Sequence, residues 1–233
     1  MRKALLLTAT VLLIGYADLA LAASCKIEGI SRTCEFNCSS GQLCQPASHA
    51  ICDTSNDGIC VICGKSGADV IFGTTGDDWI CGKGGADQIW TENPLGAASF
   101  GTDTVDGSGG NDIIVGDGGN DDLHGGSGND TISSGGGTDA LNGGTGNDTL
   151  NNSAGFASEA GTTMCGGAGN DVLQALGAGF FCLDCGSGQS PSGFDGDYWN
   201  NFTGGNTGSI INCANPNPVS NVFSPPAPCG CSE

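Results

Sequence analysis

The chain contains few basic and few aromatic residues. Its 233 residues include only 6 lysines and arginines against 25 aspartates and glutamates, a formal net charge of -19 at pH 7. Nucleic-acid binding needs a basic surface, so this charge excludes it as a first interpretation and favours a cation as partner. Aromatic residues make up 6% of the chain, whereas 43 residues are glycine. Because glycine is unfavourable inside helices, a conventional α/β enzyme is also disfavoured.

Common catalytic motifs are missing from the sequence. It has neither an HExxH zinc-protease motif nor a GxSxG serine-hydrolase motif. Its only two histidines, His49 and His124, are expected to lie on the surface rather than to act as bases. We therefore predict that the protein is not an enzyme. The reservation concerns residues 175–233, where Asp195 and Asp197 lie beside aromatic residues in an arrangement that could suit sugar handling.

Long apolar runs are absent except at the N-terminus. Arg2 and Lys3 precede an apolar run, and an A-x-A cleavage site ends at Ala22, which predicts a secretory signal peptide over residues 1–22. The following Cys25 matches a lipoprotein box only weakly, so we expect cleavage without a lipid anchor. The predicted product is a bacterial secreted, extracellular protein without a membrane span.

Fourteen cysteines are many for a chain of this length. In an exported protein they are expected to form disulfides, and an even count allows all of them to pair. Seven lie in residues 23–63 and five in residues 175–233, which predicts cysteine-rich caps at both ends. Two CxxC motifs, at 60–63 and 182–185, leave a zinc site as a less favoured alternative.

Nine-residue blocks fill the centre of the chain, over 64–174. Ten of them carry Gly at position 4, Asp at position 6 and an aliphatic residue at position 8, with interruptions at 91–97 and 152–165. The glycines allow a tight turn, and the last three residues form a strand whose middle side chain points inward. Two blocks make one coil of a parallel β-solenoid. The predicted interior consists of Ile71, Ile80, Ile89, Val105, Ile114, Leu123, Ile132, Leu141, Leu150 and Leu173.

The blocks resemble the GGxGxDxUx nonapeptides of the hemolysin-type calcium-binding (RTX) repeat family. The resemblance implies an all-β fold, a right-handed parallel β-roll with Ca²⁺ between stacked turns, where hard oxygen ligands hold it. Transferred block by block, the calcium-binding aspartates of the family fall into two rows, and adjacent members enclose up to about eight candidate sites. The predicted metal ligands are Asp69, Asp87, Asp112, Asp130, Asp148 and Asp171 in one row, and Asp78, Asp103, Asp121 and Asp139 in the other. A degenerate block, 157–165, has Thr162 in place of the aspartate.

Stacked aspartates oppose folding unless a cation lies between them. Carboxylates about 4.8 Å apart, at an effective dielectric constant of about 20, repel each other by roughly 3 kcal/mol. Ordering nine residues costs on the order of 9–18 kcal/mol, and one buried aliphatic side chain returns only about 1.5–3 kcal/mol. We therefore expect the repeats to fold on binding extracellular calcium. A merely solvated acidic face would leave the nine-residue spacing unexplained.

Position 9 of the blocks predicts one specific disulfide. The segment 55–63 keeps Gly58 and Ile62 on the nine-residue grid, so Cys63 and Cys81 fall 18 residues apart on neighbouring strands. The spacing of neighbouring strands lies within the Cα range of a disulfide, which predicts a Cys63–Cys81 bridge.

Three classes of function are compatible with these features. We favour a structural, adhesive or surface-matrix module, whose partners besides calcium are cell-surface or matrix glycans or proteins. An ice-binding β-roll would need a flat Thr/Asn array, and only 145–147 shows the full pattern. A small secreted hydrolase or toxin fragment is the third class. Phe72, Trp79 and Trp90, at outward positions, mark either a contact patch or, as we favour, a surface beneath the N-terminal cap.

Overall fold

The computed structural model describes residues 24–38, 43–44, 58–92, 101–153, 162–176, 182–184, 198–200 and 209–211. All the regular elements in these ranges are β-strands, as the nine-residue period predicted. Within the same ranges, no helix has the length and apolar character needed to cross a membrane. The predicted signal peptide and His49 lie outside the described residues.

A short antiparallel hairpin begins the described chain. Its strands are β1 (Ser24–Ile27) and β2 (Ile30–Thr33), which pair from Ser24 opposite Thr33 to Ile27 opposite Ile30. The turn consists of Glu28 and Gly29, with φ angles of +48° and +85°. A side chain at Glu28 in this left-handed conformation is uncommon, whereas glycine adopts it readily.

The other strands form two parallel sheets, to which the chain contributes strands in turn. The nine-stranded sheet contains β3 (Phe36–Asn37), β5 (Cys60–Cys63), β7 (Asp78–Cys81), β9 (Thr104–Gly109), β11 (Asp122–Ser127), β13 (Ala140–Thr145), β15 (Thr163–Ala168), β17 (Cys182–Asp184) and β19 (Ser209–Ile211). The eight-stranded sheet contains β4 (Leu43–Cys44), β6 (Val70–Phe72), β8 (Gln88–Trp90), β10 (Ile113–Val115), β12 (Thr131–Ser133), β14 (Thr149–Ser153), β16 (Val172–Leu176) and β18 (Tyr198–Asn200). This alternation is that of a parallel β-roll, and the predicted fold class is confirmed.

The interior of the roll is a double column of aliphatic side chains. The ten position-8 residues predicted to form it are all at most 1% exposed. Ile62, from the segment 55–63, and Met164, from the degenerate block 157–165, are also fully buried and extend the same column. Each complete block contributes one aliphatic side chain to the interior, so the core is narrow and depends on many coils rather than on a broad hydrophobic layer.

The two interruptions do not shift the register of the sheets. Ile89 of β8 pairs with Ile114 of β10 across the first interruption, and Leu141 of β13 pairs with Met164 of β15 across the second. Interior residues therefore continue to face interior residues where a coil contains extra chain. A slip of one residue would have turned them outward.

The sheets extend beyond the predicted roll at both ends. Strands β3 to β5 lie within the predicted N-terminal cap and pair in parallel with the roll, as do β17 to β19 within the predicted C-terminal region. Cys182 pairs with Thr163, and Ser209 pairs with Cys182. The spacing between these strands is no longer nine residues, which is why the sequence period did not reveal them. The division into caps and roll stays a prediction.

Stacked glycines at position 4 bring successive coils close together. Gly110, Gly128 and Gly146 have φ angles of +139°, +134° and +135°. A Cβ on each would overlap the carbonyl oxygen of the glycine at the same position one coil earlier. Gly67 occupies position 4 of the first block, and a Cβ there would meet no atom within 4 Å.

The predicted Cys63–Cys81 disulfide is wrong. The two cysteines are register neighbours on β5 and β7, as expected, but Cys81 bonds to Cys25 and Cys63 bonds to Cys34. Side chains of directly paired residues in parallel strands point the same way from the sheet, and their Cβ vectors do not converge as a disulfide requires. Both sulfurs point outward and meet the β1–β2 hairpin, with Cα–Cα distances of 5.6 and 5.7 Å.

The other described cysteines are also oxidised. Cys38 bonds to Cys44, and no cysteine of the described ranges is free. Since Cys60 and Cys63 are both disulfide-bonded, the 60–63 motif has no thiolate to offer zinc, and the alternative zinc site there is wrong. Trp79 packs with Cys25 and Ile27 beneath the hairpin, as favoured, and is 8% exposed.

The two other outward aromatics lie on the opposite sheet. Phe72 and Trp90 are register neighbours on β6 and β8, and their rings stack with centroids 4.8 Å apart. Both are half-buried. They therefore form a pair away from the hairpin, which lies on the nine-stranded sheet.

Candidate metal centre

Two rows of aspartates line the inside of the turns. Position 6 lies two residues before the inward-facing position 8, so strand alternation turns its carboxylate inward as well. All ten predicted ligands are at most 6% exposed. Burial of ten carboxylates in a single domain is unfavourable unless each one finds hydrogen bonds or a cation.

Each aspartate after the first of its row accepts a hydrogen bond from its counterpart one coil earlier. In the first row, the backbone N–H of Asp69, Asp87, Asp112, Asp130 and Asp148 donates to Oδ1 of the next member at 2.7 to 2.8 Å. In the second row, the N–H of Asp78, Asp103 and Asp121 does so at 2.8 to 3.0 Å. The rows are continuous across both interruptions, so the structure brings together the aspartates predicted from the blocks.

The rows end where the sequence departs from the repeat. The N–H of Asp139 donates to Oγ1 of Thr162 at 3.3 Å, so the threonine of the degenerate block continues the hydrogen bonding without a charge. At the other end, both carboxylate oxygens of Asp78 accept bonds from Thr74 of its own block, at 2.6 and 2.9 Å.

The evidence for a bound cation lies in the surroundings of Oδ2, the carboxylate oxygen that does not take part in the hydrogen bonds between coils. Oδ2 is buried and has no hydrogen-bond partner in seven members of the rows, Asp87, Asp103, Asp112, Asp121, Asp130, Asp139 and Asp148. A buried, unsatisfied anionic oxygen is costly, and repeating it in consecutive coils multiplies the cost. A bound cation would satisfy these oxygens.

Position-1 glycines allow two oxygens of neighbouring coils to approach the backbone closely, where any side chain would clash with them. A Cβ on Gly116 would lie 2.7 Å from Oδ2 of Asp121 and 2.5 Å from the carbonyl oxygen of Ser134, one coil later. The same pair of oxygens surrounds Gly125, namely Oδ2 of Asp130 and the carbonyl of Gly143. A carboxylate and a carbonyl thus meet where a side chain is missing. Hard oxygen ligands of this kind fit Ca²⁺.

Burial, in most cases with repulsion between carboxylates, raises the pKa values of eight of the ten carboxyl groups, those of Asp78, Asp87, Asp103, Asp112, Asp121, Asp130, Asp139 and Asp148. Burial, with repulsion from Asp121 and Asp78 added, raises the pKa of Asp103 to about 9. Burial, with repulsion from Asp139 added, raises the pKa of Asp121 to about 8, and burial raises the pKa of Asp148 to about 7. Without a cation, these carboxyl groups stay protonated to a higher pH than usual. A bound divalent cation would stabilise their ionised form and lower their pKa values.

Glu92 is an acidic neighbour of the second row that the sequence analysis missed. It is 9% exposed, and its charge contributes to the raised pKa values of Asp78 and Asp121. The preceding Thr91 donates from Oγ1 to the carbonyl of Gly116 at 2.7 Å. Both residues directly follow the complete block 82–90 and begin the interruption 91–97. That placement was the available signal.

Bound Ca²⁺ would supply positive charge between the carboxylates of consecutive coils. The aspartates of the two rows would hold it through Oδ2, together with position-1 carbonyl oxygens. In the folded roll, the Oδ1 hydrogen bonds between coils orient these carboxylates, so that Oδ2 is the oxygen left for an ion.

Comparison with known families agrees with this geometry. The family model of the RTX calcium-binding nonapeptide repeat matches the sequence of the chain four times, at residues 64–92, 98–132, 115–150 and 163–177. Searches of curated proteins and of solved structures found no significant match.

Proposed function

We propose that the protein is exported and completes its β-roll on meeting extracellular calcium, and the four matches to the RTX calcium-binding repeat between residues 64 and 177 support this. The observation that carries the proposal is the set of buried Oδ2 atoms without hydrogen-bond partners. Without calcium, the buried carboxylates repel one another and oppose folding. Bound calcium would contact the same carboxylates and stabilise the folded roll. Such repeats are typically structural rather than catalytic.

Export is supported by the oxidised cysteines. Disulfides persist in compartments outside the cytosol, and the hairpin depends on two of them to stay on the roll. The two basic residues and the apolar run within residues 1–22 predict export by means of a secretory signal peptide. The sulfur of Cys25 is bonded to Cys81 and is not available for a lipid, which favours release over anchoring.

A structural or adhesive role is supported by the regular outer surface of the turns. Exposed asparagines at position 5 form a ladder in which each backbone N–H donates to Oδ1 of the asparagine one coil earlier, at 2.8 to 2.9 Å. Its members are Asn111, Asn129, Asn147 and Asn170. A rigid array of amides repeated once per coil suits contact with repetitive partners, namely surface or matrix glycans or proteins.

Calcium titration of the reduced and the oxidised full chain tests the proposal. We expect far-ultraviolet circular dichroism to show a largely disordered reduced chain in chelator and a β-rich chain after calcium addition. Calorimetry should count up to about eight ions. Mg²⁺ demands a smaller octahedral site and should not replace Ca²⁺. A reduced chain that stays compact and β-rich in EGTA would contradict the proposal.

A further inference from the structure

A second group of metal-ligating side chains lies outside the calcium rows. The β1–β2 hairpin crosses the outer face of the nine-stranded sheet, and its turn reaches β11. There one donor atom each from Glu28, Asp122 and His124 lie within 4.8 Å of one another. The three residues come from two separate segments that only the fold brings together.

The imidazole of His124 is held in an acidic surrounding. It occupies position 9 of its block, between Asp106 on β9 and Asn142 on β13, and its side chain is 16% exposed. Its Nε2 lies 3.0 Å from Oδ1 of Asp122, close enough for the two atoms to share one ion. The charges of Glu28, Asp106 and Asp122 all act on the ring. Three carboxylates outweigh one imidazole even when the imidazole is protonated.

The ligand chemistry differs from that of the calcium rows. An imidazole nitrogen with two carboxylates favours a divalent transition metal over Ca²⁺, which prefers oxygen alone. Tetrahedral zinc with bonds of about 2.0–2.1 Å needs donor atoms roughly 3.3 Å apart, so modest side-chain rotation would suffice. We propose that Glu28, Asp122 and His124 bind one Zn²⁺ ion between the hairpin turn and the outer face of β11.

This site would fasten the free end of the hairpin. Cys25 and Cys34 attach the hairpin to β7 and β5, whereas its turn has no covalent link to the roll. A metal at Glu28 would attach that turn to β11, two strands farther along the sheet than β7. The site is separate from the calcium rows, because Asp122 faces outward where its neighbour Asp121 faces inward.

Zinc titration of the calcium-saturated full chain tests the proposal. We expect calorimetry to give one Zn²⁺ per chain without release of calcium. Co²⁺ at the same site should show absorption bands of a nitrogen- and oxygen-ligated ion. Glu28→Gln, Asp122→Asn and His124→Gln should each weaken zinc binding at least about tenfold. Asn142→Ala, at the position of His124 one coil later, should leave the zinc affinity unchanged.

Two outcomes would overturn the proposal. One is a wild-type chain that binds no zinc at micromolar concentrations. The other is zinc binding that survives all three substitutions or displaces calcium, which would place the ion elsewhere. Glu28 is exposed in the hairpin turn, so Glu28→Gln should keep the calcium-dependent circular dichroism of the wild type and remain informative if His124→Gln folds poorly.

Discussion

Adjacent aspartates of one block face opposite sides of the same sheet. Asp121 is buried in the second calcium row and accepts a hydrogen bond from the N–H of Asp103. Asp122 begins β11 and turns outward to His124. Strand alternation alone separates the two carboxylates, and a one-residue change of register would exchange them. A single block therefore contributes ligands to two chemically different sites.

Replacing Asp121 by asparagine should affect the calcium-loaded and calcium-free states in opposite directions. Asparagine keeps the Oδ1 acceptor but removes a charge and the unsatisfied Oδ2. We expect Asp121→Asn to raise the calcium concentration at the folding midpoint about tenfold, equivalent to roughly 1.4 kcal/mol. The calcium-free roll should become more stable. Circular dichroism during calcium titration and chemical denaturation in chelator measure the two effects.

Asp77→Asn is the matched control for that charge change. Asp77 is exposed at position 5, and its Oδ1 accepts a bond from the N–H of Thr102 that asparagine retains. Its calcium midpoint should match that of the wild type. Equal shifts in Asp77→Asn and Asp121→Asn would show that overall charge, rather than the buried row, governs folding.

Glycine at position 4 is required where the coils stack closely and the backbone takes a positive φ. Gly128→Ala would place a Cβ against the carbonyl of Gly110 and impose a φ of +134° on alanine. We expect a loss of at least about 2 kcal/mol in the stability of the calcium-loaded roll. Denaturant unfolding in calcium measures the loss. Gly67→Ala, at the same position but with open space around it, should cost little; an equal loss in both variants would contradict this explanation.

The hairpin shows how an element can escape a period-based prediction. The nine-residue grid correctly placed Cys63 beside Cys81, but it describes only the roll and contains nothing about what covers it. The partners Cys25 and Cys34 lie in a segment without any period, where spacing cannot identify pairs. The interior residues could be predicted because an aliphatic residue recurs at position 8 of every complete block. The aspartate rows could be predicted because an aspartate recurs at position 6 with the same period. The cluster at His124 could not be predicted, since it forms once, between distant segments.

The Cys25–Cys81 bridge should be the strongest of the hairpin's attachments. It closes a sequence separation of 56 residues, so the chain-entropy estimate for its removal is about 4 kcal/mol. We expect a Cys25→Ser, Cys81→Ser variant to lose stability of this order in denaturant unfolding. Because calcium binding is coupled to folding, the calcium concentration at the folding midpoint should rise with this loss of stability. Peptide mapping of the unreduced wild type that paired Cys63 with Cys81 would contradict the assignment.

At the scale of the molecule, protons and calcium compete for the same buried oxygens. The raised pKa values of Asp87 and Asp130, about 6, and of Asp103, about 9, exceed the ordinary value near 3.8. The folded calcium-free state therefore binds more protons than the unfolded chain. Its stability should be greatest below about pH 4 and should fall as the pH rises through 6 to 9.

Acidification should therefore have opposite effects with and without calcium. A metal-depleted chain should gain β-structure between pH 8 and pH 5, since protons neutralise the rows. In calcium, the same change should raise the concentration needed for folding, because protons must leave before the ion binds. Circular dichroism across this range, with calcium-depleted and calcium-titrated samples, measures both. A calcium-free chain that loses structure on acidification would contradict the role given to the buried carboxyl groups.

The direction of the aspartate hydrogen bonds makes the two ends of the second row inequivalent. Each aspartate of this row donates from its N–H to the coil that follows, while the first carboxylate, Asp78, already accepts from Thr74 of its own block. The row ends at the neutral hydroxyl of Thr162. The sheet continues past both points, through β5 and β17. The number of cations that this row can hold is therefore set by the residues at its two ends and not by the length of the sheet.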